Sequence, residues 1–129
     1  MKDLINVLKS KPMFIGSTGA TVADILESEA ILLTTFAKDY RHYVSTFGFA
    51  IYEGHELTGI CKSKRLNVVD VTKANRDLFN DIPDDWYVIE EAHIDGIVIW
   101  QSTDGKIYQT MPGREPIMIA ESLAEYISM

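Results

Sequence analysis

Two acidic runs bracket one apolar stretch of the chain: Asp81, Asp84 and Asp85 in NDIPDDW, then Glu90, Glu91 and Asp95 in IEEAHID. Paired carboxylates can act as general acid and general base on a glycosidic bond, provided that a sugar-binding cleft holds them at a defined separation. The same groups can instead form a negative rim that attracts a basic protein, or simply solvate the turns around an edge strand. A second concentration of chemistry, Asp39, Arg41 and His42 in FAKDYRHYVSTFG, has a plainer reading. Phe36, Tyr40, Tyr43 and Phe47 recur at +4, +3 and +4, one face of a helix that must be buried, so the three polar residues project from its wet flank. Gly48 then ends the helix as a left-handed cap.

Other reactive patterns do not form. GSTGAT lacks the lysine of a phosphate-binding loop, and Ser17 within it has no histidine assigned by spacing, so the stretch reads as a glycine-rich surface loop. His42, His55 and His93 are more than ten residues apart, and Cys61 is the single soft ligand near any of them. A structural zinc site needs four ligands. No metal and no cofactor is expected, and Cys61 reads as a small, partly buried hydrophobe.

These side chains must be positioned by a single domain, since 129 residues with 47% hydrophobic and 24% charged content suit one core. No apolar run approaches the ~20 residues of a membrane span, and the start, MKDLINVLKSK, lacks the apolar block of a secretory signal. A cytoplasmic location is expected, consistent with one unpaired cysteine. Nineteen acidic against twelve basic residues give a formal charge of −7. That sign disfavours direct nucleic-acid binding and favours a basic partner.

The elements read as helices first and strands afterwards, an α+β chain. Leu4, Ile5 and Leu8 predict a short opening helix, and KPMFIGSTGA a loop after it. Thr21 with Asp24 marks a second helix to about Leu33, whose face of Val22, Ile25, Leu26, Leu32 and Leu33 should pack on Tyr40 and Val44 through Leu26 and Leu33. HELTGI and RLNVVDV read as short strands, with Thr72 to Phe79 a helical crossing. DWYVIEEA, GIVIWQS, KIYQTM and EPIMIA predict an antiparallel meander, and Ser122 with Glu125 a capping box on a last helix that docks through Leu123, Tyr126 and Ile127. In QSTDGKI, a three-residue loop with Gly105 left-handed sets Trp100 opposite Tyr108 and Ile99 opposite Gln109. Ile97, Ile99, Ile107 and Met111 then share the helix-covered face, leaving Val98, Trp100, Tyr108 and Thr110 on a face expected to be less covered.

Four segments in this order resemble the SUKH superfamily, the Smi/Knr type of domain, and are most similar to its bacterial YobK-like members. ILESEAILLTTFAKDYRHYVSTFG is similar to the family's I-x-x-x-E helix followed by L-P-x-D-Y-x-x-(F/Y)-L-x-x-x-G, with Glu29, Asp39, Tyr40, Tyr43 and Gly48 at matching positions. GHELTGI, DDWYVIEEAHIDGIVIWQSTDGKIYQTMPG and SLAEYI resemble its strand, its strand-and-hairpin block and its closing helix. The likeness runs from about residue 20 to the end, with residues 1–19 an N-terminal helix and loop of the same single domain, and it departs at Ala37, where the family usually has proline.

The resemblance implies N-terminal helices packed on a mostly antiparallel sheet with a short C-terminal helix. It also implies an immunity protein, without catalysis, that neutralises a polymorphic toxin, frequently a nuclease. A non-catalytic scaffold of the same fold, as in eukaryotic relatives, is the alternative, and a small carboxylate-dependent hydrolase a remote one. A basic toxin would meet an acidic rim drawn from Glu53, Glu56, Asp84, Asp85, Glu90 and Glu91. Trp86 or Trp100, with Tyr108 beside it, would be the apolar anchor.

Overall fold

A computed structural model describes residues 3–129. In chain order its elements are α1 (Leu4–Lys9), β1 (Ile15–Thr18), α2 (Val22–Leu32), α3 (Lys38–Thr46), β2 (Phe47–Tyr52) and β3 (His55–Leu57). There follow α4 (Val68–Leu78), β4 (Trp86–Glu91), β5 (Val98–Ser102), β6 (Ile107–Thr110), β7 (Ile117–Ala120) and α5 (Leu123–Ile127). All seven strands form one sheet in sequence order, each pair antiparallel. The fold is the α+β arrangement expected, and β4 to β7 are its predicted meander.

The hairpin register is also as predicted. Gly105 has φ +99°, Trp100 faces Tyr108, and Ile99 faces Gln109. The sheet therefore has two apolar faces. On one, Ile99, Ile107, Tyr87 and Ile89 pack with Leu8 of α1, Leu32 of α2, Tyr40 and Tyr43 of α3, and Leu123 and Ile127 of α5. On the other, Trp86, Val88, Val98 and Trp100 pack with Val71 of α4 and with Phe79, Ile82 and Tyr108. That second face was expected to be the less covered one, yet Trp100 has no exposed surface at all.

The cover comes from α4, which begins inside RLNVVDV where a strand was expected. Asn67 accepts a hydrogen bond from the Val69 N–H and so caps the helix before Val68. Tertiary packing of Val68 and Val71 outweighs the strand preference of β-branched residues. IGST, expected in a loop, is an edge strand paired with β2. Gly48 is no left-handed cap: α3 passes straight into β2 through an extended Phe47. Glycine is needed there because a Cβ would stand 2.5 Å from Ser17 Oγ and 2.6 Å from the Thr18 carbonyl oxygen.

Helix α2 buries Ile25, Ser28, Glu29 and Leu32, so Leu26 and Leu33, expected to pack on Tyr40 and Val44, lie outside. Phe47 is half-buried against Phe14, whereas Tyr40 is fully enclosed. Of the three polar residues expected on the wet flank of α3, Arg41 and His42 are exposed and Asp39 is half-buried, but Arg41 and Asp39 are both engaged within the fold. Arg41 grips buried Glu29 at 2.8 Å, and Glu29 also accepts the Phe36 N–H at 2.7 Å. Asp39 accepts from Gln101 Nε2 and from the Leu123 N–H, both at 2.9 Å, tying α3 to β5 and to the start of α5. Ala37 also has a use here: its N–H donates to Tyr87 Oη at 2.9 Å, which a proline has no hydrogen to do.

Burial pushes the hydroxyls of Tyr40, Tyr43 and Tyr87 far above the ordinary tyrosine value, and desolvation does the same to Tyr126, with help from the Glu90 carboxylate. The native state holds these phenols neutral, while the unfolded chain ionises them near pH 10. Their contribution to stability is therefore complete below about pH 10 and lost as pH rises beyond it. In an alkaline titration, tyrosinate absorbance from these four should appear together with loss of the circular dichroism signal. Their ionisation near pH 10 in a still folded chain would contradict the burial.

Candidate functional site

The structure does not gather the expected rim into one patch. Glu53 is exposed in the β2–β3 turn, where its φ of +46° and the +82° of Gly54 form the two-residue connection of a tight hairpin. Glu56 is held by Arg65 at 2.7 and 2.9 Å, and that guanidinium keeps its carboxyl below the usual carboxylate range. Glu91 accepts from Asn75 Nδ2 at 3.1 Å. Asp84 and Asp85 are exposed at the opposite end of β4, six residues or roughly 20 Å away along the strand.

Three of the expected residues are not on the surface. Trp100 donates from Nε1 to Thr110 Oγ1 at 2.8 Å inside the second core. Trp86, 7% exposed, stacks on half-buried Tyr108 with ring centroids 4.1 Å apart. Neither tryptophan is free to anchor a partner. Glu90 is 3% exposed because β4 carries a bulge between Val88 and Glu90. Strict alternation would place Glu90 on the α4 face. The extra residue turns it, with Ile89, toward the face of α5, and sends Glu91 to Asn75.

Around Glu90 a carboxylate, a histidine and two tyrosines converge as they would for acid–base chemistry. Tyr126 Oη donates to it, as does the Glu56 N–H at 3.1 Å, with His55 Nδ1 at 3.0 Å and the His55 ring stacked on Tyr52. Its oxygens are taken up by internal partners, so the group fastens β3, β4 and α5 together. Among the described residues no group of three or more His, Cys, Asp or Glu side chains is placed to hold a metal ion. No helix among them is long and apolar enough to cross a membrane.

A groove of about 600 Å³ opens between the C-terminal end of α4 and the β4–β5 and β6–β7 loops. Phe79, Ile82 and Val98 supply apolar lining, and Asp81, Glu91 and Glu115 supply charge against a single arginine, Arg114. The negative end of the α4 dipole adds to the same sign. The loop that contributes Asp81 and Ile82 continues to Asp84 and Asp85, whose carbonyls meet Arg76 Nη2 at 3.0 Å and Thr103 Oγ1 at 3.4 Å. Arg76 also donates to the Leu32 and Trp86 carbonyls at 2.9 and 3.2 Å, joining the end of α2 to this acidic loop. Asp81 was visible in the sequence as part of an acidic run. Glu115 and Arg76 carried no signal, because the β6–β7 loop and the α2 terminus come to this region only through tertiary packing.

Helices on both faces of a seven-stranded antiparallel meander, with three loops around an acid-rimmed groove, define an α+β domain that presents a concave negative surface. The same fold occurs in the solved "Crystal structure of protein from Pseudomonas syringae pv. tomato", at 15% identity and a TM-score of 0.76 over 99% of this chain and 96% of that one. The chain belongs to the SUKH family described as SMI1-KNR4 cell-wall, whose model matches residues 1–128. A search of curated proteins gives no match.

Proposed function

We propose that this domain is a non-catalytic immunity protein that binds a basic toxin domain in the cytoplasm and blocks it, a nuclease being the toxin class its charge suits best. The observation that supports the reading is the groove, an apolar floor under Asp81, Glu91 and Glu115, with Asp84 and Asp85 exposed further along the loop that carries Asp81. A nuclease needs positive charge to hold a phosphate backbone, and an acidic surface competes for that charge. At a formal −7 the chain itself repels nucleic acid. Glu53 and Glu56 lie outside the groove, and Glu90, Trp86 and Trp100 act inside the fold.

The test reverses Asp81, Asp84 and Asp85 to lysine and leaves the internally bonded Glu91 in place. Association with the toxin domain encoded by the adjacent reading frame should slow about tenfold or more at low salt, and its salt dependence should shrink. Cells co-expressing the toxin should lose protection. Glu53→Lys, a comparable change away from the groove, should leave both unaltered. Full protection and unchanged association by the reversed chain would reduce the acidity to a device for solubility. A neighbouring frame encoding an enzyme that the domain recruits without inhibiting would favour the scaffold reading.

A further inference from the structure

Helix α2 carries a second apolar stripe that the fold does not use. Val22, Leu26 and Ala30 follow one another at +4 on one helical face, Leu33 comes just past the helix end, and all four are exposed. Val22 is 73%, Leu26 55% and Leu33 88% exposed, while the buried side of the helix is made by Ile25, Ser28, Glu29 and Leu32. Scattered exposed leucines are ordinary, but an aligned row on a surface helix is a feature of interaction sites.

Leu33 stands out within the row. The helix ends in a paired turn, with the Leu33 N–H on the Ala30 carbonyl and the Thr34 N–H on the Glu29 carbonyl, and Leu33 itself sits at φ +54°, ψ +41°. That position strongly favours glycine, because a Cβ is strained there. A leucine at this point gives up backbone comfort and leaves its side chain 88% exposed to water. Strain of this kind, held at an exposed apolar side chain, points to a use outside the folded monomer.

We infer that this stripe is the apolar anchor of the interface with the basic toxin domain, an inference that rests on the immunity reading above. Charge selects the occupant. Asp24 and Glu27 are exposed on the same helix, and Arg76 joins the helix end at the Leu32 carbonyl to the Asp84 carbonyl, so the exposed Asp84–Asp85 turn borders Leu33. A second copy would bring these acids against their like. A partner with an apolar cleft rimmed by lysine or arginine meets both features at once. The stripe, the acidic loop and the groove then form one continuous footprint, and the anchor that the tryptophans cannot provide is leucine.

The probe is the toxin domain from the adjacent reading frame, purified as an inactive variant, and the test chain carries Leu26→Ser with Leu33→Gly. Leu33→Gly alone should melt at the same or a higher temperature, since glycine relieves the left-handed strain. The double variant should dissociate about tenfold faster or more with little change in association rate, whereas the Asp81, Asp84, Asp85 reversal should act on association. Unaltered dissociation of the double variant, beside a slowed association of the charge-reversed chain, overturns this inference and leaves the immunity reading standing. A dimer of the unmodified chain in sedimentation that the double variant turns into a monomer would assign the stripe to a second copy and overturn it too. No binding of the probe by the unmodified chain removes the immunity reading, and this inference with it.

Discussion

Replacing Trp100 by alanine is expected to lower the unfolding free energy by about 3–5 kcal/mol, the range for deleting a fully buried large aromatic side chain. The indole has no exposed surface and packs among Val71, Val88, Val98 and Trp86. Phe79 meets it edge-on at 6.2 Å. Alanine would leave a cavity under α4 and strip Thr110 Oγ1 of its 2.8 Å donor. Trp100→Phe keeps most of the volume and should cost clearly less, leaving chiefly the lost hydrogen bond. Urea unfolding at unchanged m-value measures both. A change within about 0.5 kcal/mol, usual for exposed positions, would mean that α4 does not seal this face and that the tryptophan is available to a partner after all.

That experiment bears on a boundary between what the chain announces locally and what packing decides. The β5–β6 hairpin was readable because its determinants are adjacent: Gly105 supplies the left-handed residue, and the period-2 alternation fixes which residues share a face. The cover over Trp100 was not, because α4 starts with Val68 and Val69, residues whose local preference is for strands. Its one local signal was Asn67, a good N-cap. Strand β1 was lost for a related reason, since Ile15 finds its partner Ile51 far along the chain. Helix α2 shows the limit of hydrophobic periodicity. Its inner face includes Ser28 and Glu29, tolerated because Arg41 and the Phe36 N–H satisfy the carboxylate, while leucines 26 and 33 face water. For the candidate site, the sequence showed the abundance of acid but not its distribution. The β4 bulge alone moves Glu90 from an expected rim into the core.

Glu90 is accordingly the second place where a large effect is expected. Glu90→Ala should destabilise the fold by about 3 kcal/mol, toward the low end of the sum for leaving two part-buried donors without an acceptor at about 1–3 kcal/mol each. The lower end applies because the His55 ring, which contacts Glu90 at 3.0 Å, keeps 46% of its side chain in contact with water, where solvent can take over its hydrogen bond. The two donors are the Tyr126 hydroxyl and the Glu56 N–H, which lose their acceptor together. Since Tyr126 belongs to α5 and Glu56 to β3, hydrogen exchange should accelerate first in α5, which has only five residues and, besides Leu123, Ile127 and the Asp39 cap on the Leu123 N–H, is held by this contact. Pairing Glu90→Leu with Tyr126→Phe removes acceptor and donor at once and should recover part of the stability lost in Glu90→Ala. If Glu90→Ala melts like the unmodified chain and α5 exchanges no faster, the cluster does not hold the elements together. The convergence of carboxylate, histidine and tyrosine would then have to be read as chemistry, which returns the carboxylate-dependent hydrolase to consideration and calls for a turnover assay of the same variant.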